Sequence, residues 1–269
     1  MTRPVVTLLT DYGRDDDFVG VCHGVILRRC PDAAIVDITH GIGRHDVRHA
    51  ALVLANTLPY LPAGVHVAVV DPEVGTERRG VAVRTADERL LVGPDNGVLS
   101  VAWERCGGAI EAVDISRSRH RLQPVSATFH GRDVFAPVAA ALAAGEPLAE
   151  AGDPLDVDDL AVLELPRPRI EGSELVAHAL LVDRFGNVAL DATHAELTAS
   201  GIRLGRPVEI EAAGERYHAT YARTFADVRH GEVLVYEDSY RTLAIAINRG
   251  DAAETLRVRP GDEIRLRPR

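Results

Sequence analysis

A change of hydrophobic period partway along the chain constrains its fold more than any other feature. In the first half, short apolar runs alternate with segments patterned for helices. VVTLLT (5–10), AAIVDI (33–38), VHVAVV (65–70), RLLVGP (89–94) and IEAVDI (110–115) read as strands. Between them lie a helical pattern with Phe18, Val21, Val25 and Ile26 on one face, an amphipathic stretch over 46–61, a helical segment over 97–106 and an Ala-rich helix over 133–144. That order predicts an α/β domain with a largely parallel central sheet and helices on its faces. Beyond a Pro-rich, acidic stretch around 154–168 the runs become short, close-spaced and often alternating: LVAHALLVD, NVALDA, VEIEA, RYHATYA, EVLVYED, LAIAIN and EIRLRP. Separated by Gly, Asn and Asp, they predict an all-β domain, a small barrel or a sandwich. We place the boundary near 165–170, giving an α/β domain over 1–167 and a barrel-like β domain over 168–269.

Composition narrows the chemistry. The 269 residues carry a net charge of -10, and every one of the 30 basic residues is Arg, because the chain contains no Lys. Schiff-base, pyridoxal phosphate and P-loop chemistries, which need an amine, are excluded. The acidic balance argues against a nucleic-acid or anionic-membrane binder, which needs a basic face. No apolar stretch is long enough to span a bilayer, and no signal-peptide pattern is visible, so the sequence predicts a soluble cytoplasmic protein. Three widely spaced cysteines, Cys22, Cys30 and Cys106, suit neither a disulfide framework nor a zinc site and read as small buried hydrophobes.

Candidate functional residues gather at strand ends and turns. Asp11 and Asp71 directly follow apolar runs, and in open α/β sheets ligands bind beyond the carboxyl ends of the strands. Asp at such a position is equally a turn former or helix N-cap, so location alone gives even odds. GPDNG (93–97) is a tight turn first; TFHGRD (128–133) sets His130, Arg132 and Asp133 before a helix; DRFGN (183–187) reads as a hairpin turn with Asn and Gly at positive φ. His45 and His49 stand four apart on an expected helix, but HDVRH lacks the Glu of HExxH and has no evident third ligand, so a structural role outweighs a metal. GIGRHD lacks the third glycine of a dinucleotide site, and no GxSxG elbow occurs.

Six segments, TDYGRDDDFVG, DPEVGTERRG, GPDNGVLS, TFHGRDVFAPVAA, DRFGNV and SYRTLAIAINRGDAA, resemble in order and spacing the S-adenosyl-L-methionine (SAM) hydrolases that release adenosine, the SAM hydroxide adenosyltransferases, which are relatives of the fluorinase and chlorinase. The resemblance spans about residues 5–255. It implies an α/β domain followed by a β-barrel-like domain, and a homotrimer with the ligand between the first domain of one subunit and the second of its neighbour. It implies a water-activating set at Asp71, Arg78 and His130. Asp11 would bind the ribose diol; Asp16, Asp183 and Ser239 the methionine end; Asn187 and the 247–249 backbone the adenine. Phe129, Phe185 and Phe225 would line the nucleoside pocket. SAM is then the substrate, and neither cofactor nor metal is implied. Two residues depart from the pattern: Glu73 stands where Gly is usual and Asp191 where Asn is usual, and Arg79 beside Arg78 leaves the choice of arginine open.

The implied reaction has a neutral thioether as leaving group, so its difficulty lies with the nucleophile. The expectation is that His130 and Asp71 orient a water and accept its proton, that Arg78 stabilises the developing hydroxide, and that attack falls on ribose C5′. The alternatives are a SAM-dependent halogenase, disfavoured by the Asp-Arg-His set and by the short passage VAVRTADERLLVGP; a non-catalytic SAM- or adenosine-binding module; and a metal hydrolase using His45 and His49.

Overall fold

Parallel pairing sets the layout of the first half. The computed structural model describes residues 3–269, and the chain divides into two compact units, one ending at Leu163 and the other spanning Glu164–Arg269, with the division inside the Pro-rich stretch. In the first unit β1 (Val5–Thr10), α1 (Phe18–Arg29), β2 (Ala34–Thr39), α2 (Val47–Thr57) and β3 (Val65–Val69) follow the expected alternation. β4 (Gly80–Thr85), β5 (Leu90–Pro94), α3 (Ser100–Arg105), β6 (Ala109–Asp114), α4 (Ala136–Ala143) and β7 (Asp153–Leu155) complete it. The sheet order is β2-β1-β3-β5-β4-β6-β7. β2, β1, β3 and β5 run parallel, whereas β4, β6 and β7 join antiparallel. Both faces are covered, and β3 is buried along its whole length, which is why VHVAV reads as continuous rather than alternating.

The antiparallel addition of β4 has a consequence for function. Gly80, at the start of β4, pairs with Pro94 at the end of β5. The residues entering β4 therefore lie at the edge where the parallel strands end. Helix α4 packs on β1 and β3, and the chain enters it through one π-helical turn, Gly131–Phe135, so the helical path begins two residues earlier than the sequence pattern suggested.

In the second unit β8 (Arg169–Glu171), β9 (Glu174–Val182), β10 (Val188–Thr193), β11 (Pro207–Ala212), β12 (Glu215–Tyr221), β13 (Val233–Glu237), β14 (Thr242–Ile247) and β15 (Glu263–Pro268) form one sheet. Its order β10-β14-β13-β12-β11-β15-β9 is closed by β9–β10 pairing, so the seven strands make a barrel, with β8 added outside on β9. Closure decides between the two expected architectures: every strand of the ring finds two neighbours and no edge remains. Two short helices, α5 (His194–Ala199) and α6 (Ala252–Leu256), interrupt the strands, each begun by a side-chain cap, Thr193 and Asp251.

Alternation along the barrel strands fills the interior with Leu, Ile, Val and Ala, among them Leu175, Leu190, Ile210, Ile245 and Leu266, all fully buried. Asp191 pairs within this unit, its carboxylate accepting the His178 backbone N–H at 2.8 Å and meeting His178 Nδ1 at 2.7 Å. The departure at that position thus serves an internal pair. Leu190→Ala should lower the unfolding free energy by about 2–5 kcal/mol through lost burial and a residual cavity, measured by chemical denaturation.

Candidate active site

Asp71 lies just beyond β3, at the carboxyl edge of the sheet, one strand from Asp11 beyond β1. The connection from Asp71 to Arg79 crosses the end of β5 and delivers Arg78 to the start of β4. Arg78 Nε donates to Asp71 Oδ1 at 3.1 Å, and Nη2 donates both to Asp71 Oδ2 and to His130 Nδ1, the latter at 3.1 Å. Both side chains of the ion pair are about one-twentieth exposed. The guanidinium also lies 5.5 Å from the Phe135 ring, a cation–π contact supplied by the π-turn. Three residues separated by up to 59 positions in sequence thus share one hydrogen-bonded cluster.

Arg79 goes elsewhere. It donates twice to Asp95 Oδ2, at 2.9 and 2.6 Å, and to the Asp159 carbonyl at 2.6 Å. Asp95 Oδ1 accepts the Ala161 N–H at 2.8 Å. Asn96 holds the Val70 carbonyl at 2.9 Å, so GPDNG braces the edge rather than facing a ligand.

Because Arg cannot accept, His130 Nδ1 must be the acceptor, and the neutral ring carries its proton on Nε2. Burial and then the Arg78 charge lower the His130 pKa below its ordinary 6.5. Burial raises the Asp71 carboxyl above its ordinary 3.8 against the opposing pull of Arg78. The Glu73 backbone N–H also bonds this carboxylate, while the Glu73 carbonyl accepts from Thr76 N at 3.1 Å and Thr76 Oγ1 at 2.8 Å. Glu73 therefore shapes the turn through its backbone, and its side chain is exposed. A cleft of about 430 Å³ bordered by Arg78, Arg79, Arg121 and His130 opens beside the cluster.

Tyr12 is the residue that sequence reasoning missed. Its hydroxyl presses on Gly131, where an added Cβ would stand 2.1 Å away. Its ring meets Phe18 and Phe129 at centroid distances of 5.8 Å. Burial, then the neighbouring Cys22, Asp11 and Asp71, hold the hydroxyl well above its ordinary pKa and therefore protonated. The only sequence signal was its place beside Asp11 in TDYG. Cys22 is no nucleophile, since burial pushes its thiol up to about 12.

The remaining expected residues fall into groups. Asp11 accepts the His45 backbone N–H at 3.0 Å, and Asp16 is exposed in the segment before α1. Phe129 packs in the aromatic trio. In the barrel unit Asp183 accepts from the backbone of Phe185 at 2.8 Å and of Asn187 at 3.0 Å, and from the Asn187 side chain at 2.8 Å. Gly186 alone in this turn takes positive φ, +78°, correcting the expectation that Asn187 would share it. The Gly186 carbonyl accepts from Ala252 and Ala253, which brings the turn against the segment that follows 247–249. Phe225, held through its carbonyl by Asn248 at 3.0 Å, meets the Tyr236 ring at a centroid distance of 5.2 Å, the two rings tilted by 55°. Ser239 lies in the β13–β14 turn, at the far end of β14 from Ile247.

A second expectation is overturned. His45 does not lie on α2: it precedes the N-cap Asp46 with φ +64°, while His49 sits in the first turn with its N–H on Asp46. The four-residue spacing therefore does not put the two rings on one helical face.

Sequence and structure comparisons extend these observations. Residues 6–152 match a family model described as the SAM hydroxide adenosyltransferase N-terminal domain, and residues 177–265 match the C-terminal domain of the same family. A protein of Salinispora tropica named (R)-S-adenosyl-L-methionine hydrolase is 47% identical over 263 residues, 98% of this chain and 97% of its own. One of the same name from Thermus thermophilus is 38% identical, covering 98% and 99%. A Nocardia brasiliensis fluorinase is more distant, at 28% over 98% and 97%. The crystal structure of an uncharacterized conserved protein from Thermotoga maritima superposes with a TM-score of 0.92 at 38% identity, covering 97% of this chain and 99% of that one.

Gly75 ties the two halves of the cluster together. It has φ +84°, and an added Cβ would lie 2.5 Å from the Ala127 carbonyl, in the segment that leads to His130. Gly75→Ala should cost about 1–3 kcal/mol, seen as a lower denaturation midpoint with an unchanged slope.

Proposed function

The chain belongs to the SAM hydroxide adenosyltransferase family, and on that premise we propose that it hydrolyses S-adenosyl-L-methionine to adenosine and L-methionine. The Asp71–Arg78–His130 cluster at the carboxyl edge of the sheet is the observation that carries the reading. Relatives sharing nearly half of its residues along the whole chain support it.

The substrate is a sulfonium, and its departing group is a neutral thioether. No acid has to protonate that group, and no metal or cofactor has to withdraw charge from it. Catalysis must instead raise the nucleophilicity of water and hold it in line with the C5′–S bond. With Nδ1 committed to Arg78, His130 Nε2–H donates to the water oxygen and orients it. Asp71, which keeps one acceptor position beyond its bonds to Arg78 and the Glu73 N–H, accepts the water proton. This refines the roles expected from sequence, where His130 shared in accepting the proton. Arg78 holds both groups and stabilises charge on the incipient hydroxide. The new bond is C5′–O and the broken one C5′–S; its electron pair leaves with sulfur, and the proton passes through Asp71 to solvent. Opposite charges are consumed on the way, so a site poor in water favours the step.

The wider reading is of a homotrimer. Phe185 is 70% exposed on its own unit. That suits a barrel end that completes the site on the α/β unit of a neighbouring subunit. Asp11 would then take the ribose diol; Asp16, Asp183 and Ser239 the methionine end; Asn187 and the 247–249 backbone the adenine; Phe129, Phe185 and Phe225 the nucleoside faces. No helix among the described residues is long and apolar enough to cross a membrane. Three free cysteines fit a reducing compartment, and we assign the enzyme to the cytoplasm.

Purified protein incubated with SAM, with and without excess chloride, should release adenosine and methionine on chromatography. A 5′-halo-adenosine would instead place it with the halogenases. His130→Ala should lower kcat by about 10²–10³-fold, the usual cost of losing one preorganised donor, while SAM binding, read by calorimetry, persists; full turnover in this variant would refute the assigned role. The reaction needs Asp71 ionised, with its pKa raised above 3.8, and His130 neutral, with its pKa lowered below 6.5. Activity in kcat/KM should therefore be lost as the pH falls, at a higher pH than an ordinary carboxylate would set, while the lowered His130 stays neutral at and above neutral pH.

A further inference from the structure

A second cluster of titratable side chains shares no residue with the proposed catalytic set. His23 on α1, Asp37 on β2 and His40 just beyond β2 place two imidazole nitrogens and a carboxylate oxygen within 4.8 Å of one another. Both Nε2 atoms converge on the same oxygen: His23 lies 2.8 Å and His40 3.0 Å from Asp37 Oδ1. His40 is 2% exposed, yet its Nε2 makes no hydrogen bond of acceptable geometry even at that separation. The Asp37 carboxylate is thus its one near partner, shared with His23 and poorly aligned, which leaves this buried nitrogen open to a better one. The ring itself is fixed, because His40 Nδ1 meets Thr10 Oγ1 at 2.8 Å. That outer contact is the kind that orients metal-bound histidines.

We propose that His23, Asp37 and His40 bind one divalent transition-metal ion of the zinc or cobalt type. Two imidazoles and one carboxylate match the donor preference of those ions, whereas magnesium and calcium favour all-oxygen shells. His23 and Asp37 are each nearly one-third exposed, which provides an entry path and leaves outward positions for water. The ion takes no part in the sulfonium chemistry. It braces α1 and the edge strand β2 against the end of β1: the His40 carbonyl accepts the Gly13 N–H at 2.8 Å, and Thr10 Oγ1 accepts the Tyr12 N–H at 3.2 Å. The ion thereby steadies the loop carrying Asp11 and Tyr12.

The test is titration of chelator-stripped full-length protein with Co²⁺, followed by visible absorption, with Zn²⁺ as competitor and thermal melting as a second readout. The expected result is one equivalent of Co²⁺, displaced by Zn²⁺, with a melting temperature raised by either ion. Affinity should fall at least tenfold in His23→Gln and in Asp37→Asn, both partly exposed positions whose folding is checked by circular dichroism. No saturable Co²⁺ binding by the stripped wild type would overturn the proposal. So would binding that either variant retains at wild-type strength, and the cluster would then be a hydrogen-bonded brace alone.

Discussion

The buried pair between Arg78 and Asp71 is the constraint on which the rest of the first unit depends. Removing a guanidinium and a carboxylate from water costs several kcal/mol per ion, and the pair stands only if most of their hydrogen-bonding capacity is met. Here Arg78 is met by both carboxylate oxygens, by His130 Nδ1, by the Arg79 carbonyl and by the face of Phe135. These partners come from three places: the end of β3, the entry to β4 and the π-turn before α4. Each must arrive in position for the others to be satisfied, so the ion pair fixes the mutual placement of three segments.

The surrounding contacts serve that placement. Arg79 and Asp95 tie the entry of β4 to the turn after β5 and to the 159–161 segment. Gly75 lets the 71–79 loop lie against the Ala127 carbonyl, and Gly131 gives room to the Tyr12 hydroxyl. At both glycines a side chain would have to displace backbone or a buried ring. Asp133 adds a further tie: its carboxylate pairs with Arg132 at 2.6 Å and accepts the Ser126 N–H at 2.7 Å, closing the loop that presents His130.

Much of this was legible beforehand in the residues that report burial. Strands β1, β3 and β5 announce themselves as apolar runs because both faces of a parallel sheet are covered. The barrel strands announce themselves by alternation because only one face is. Asp11 and Asp71 stood out because they end such runs. Elements without a periodic signal were harder: β7 and β8 are three residues long, and α5 and α6 are single caps followed by one or two turns. His45 misled because a helical pattern was extended one residue past the true cap, where the backbone has already turned left-handed.

The sequence by itself determined the two-unit plan, the exclusion of amine chemistry, the family and the residue types available for a reaction at a sulfonium. These depend on composition, local periodicity and motif order, all carried along the chain. Tertiary structure alone decided that the β unit closes into a barrel, that Arg78 rather than Arg79 meets Asp71 and His130, and which nitrogen of His130 accepts. It also revealed Tyr12 over Gly131 and the cluster of His23, Asp37 and His40. The reason is one of range: hydrogen bonds and ion pairs act over a few ångströms, and residues up to 59 positions apart reach that distance only once strands and helices have packed.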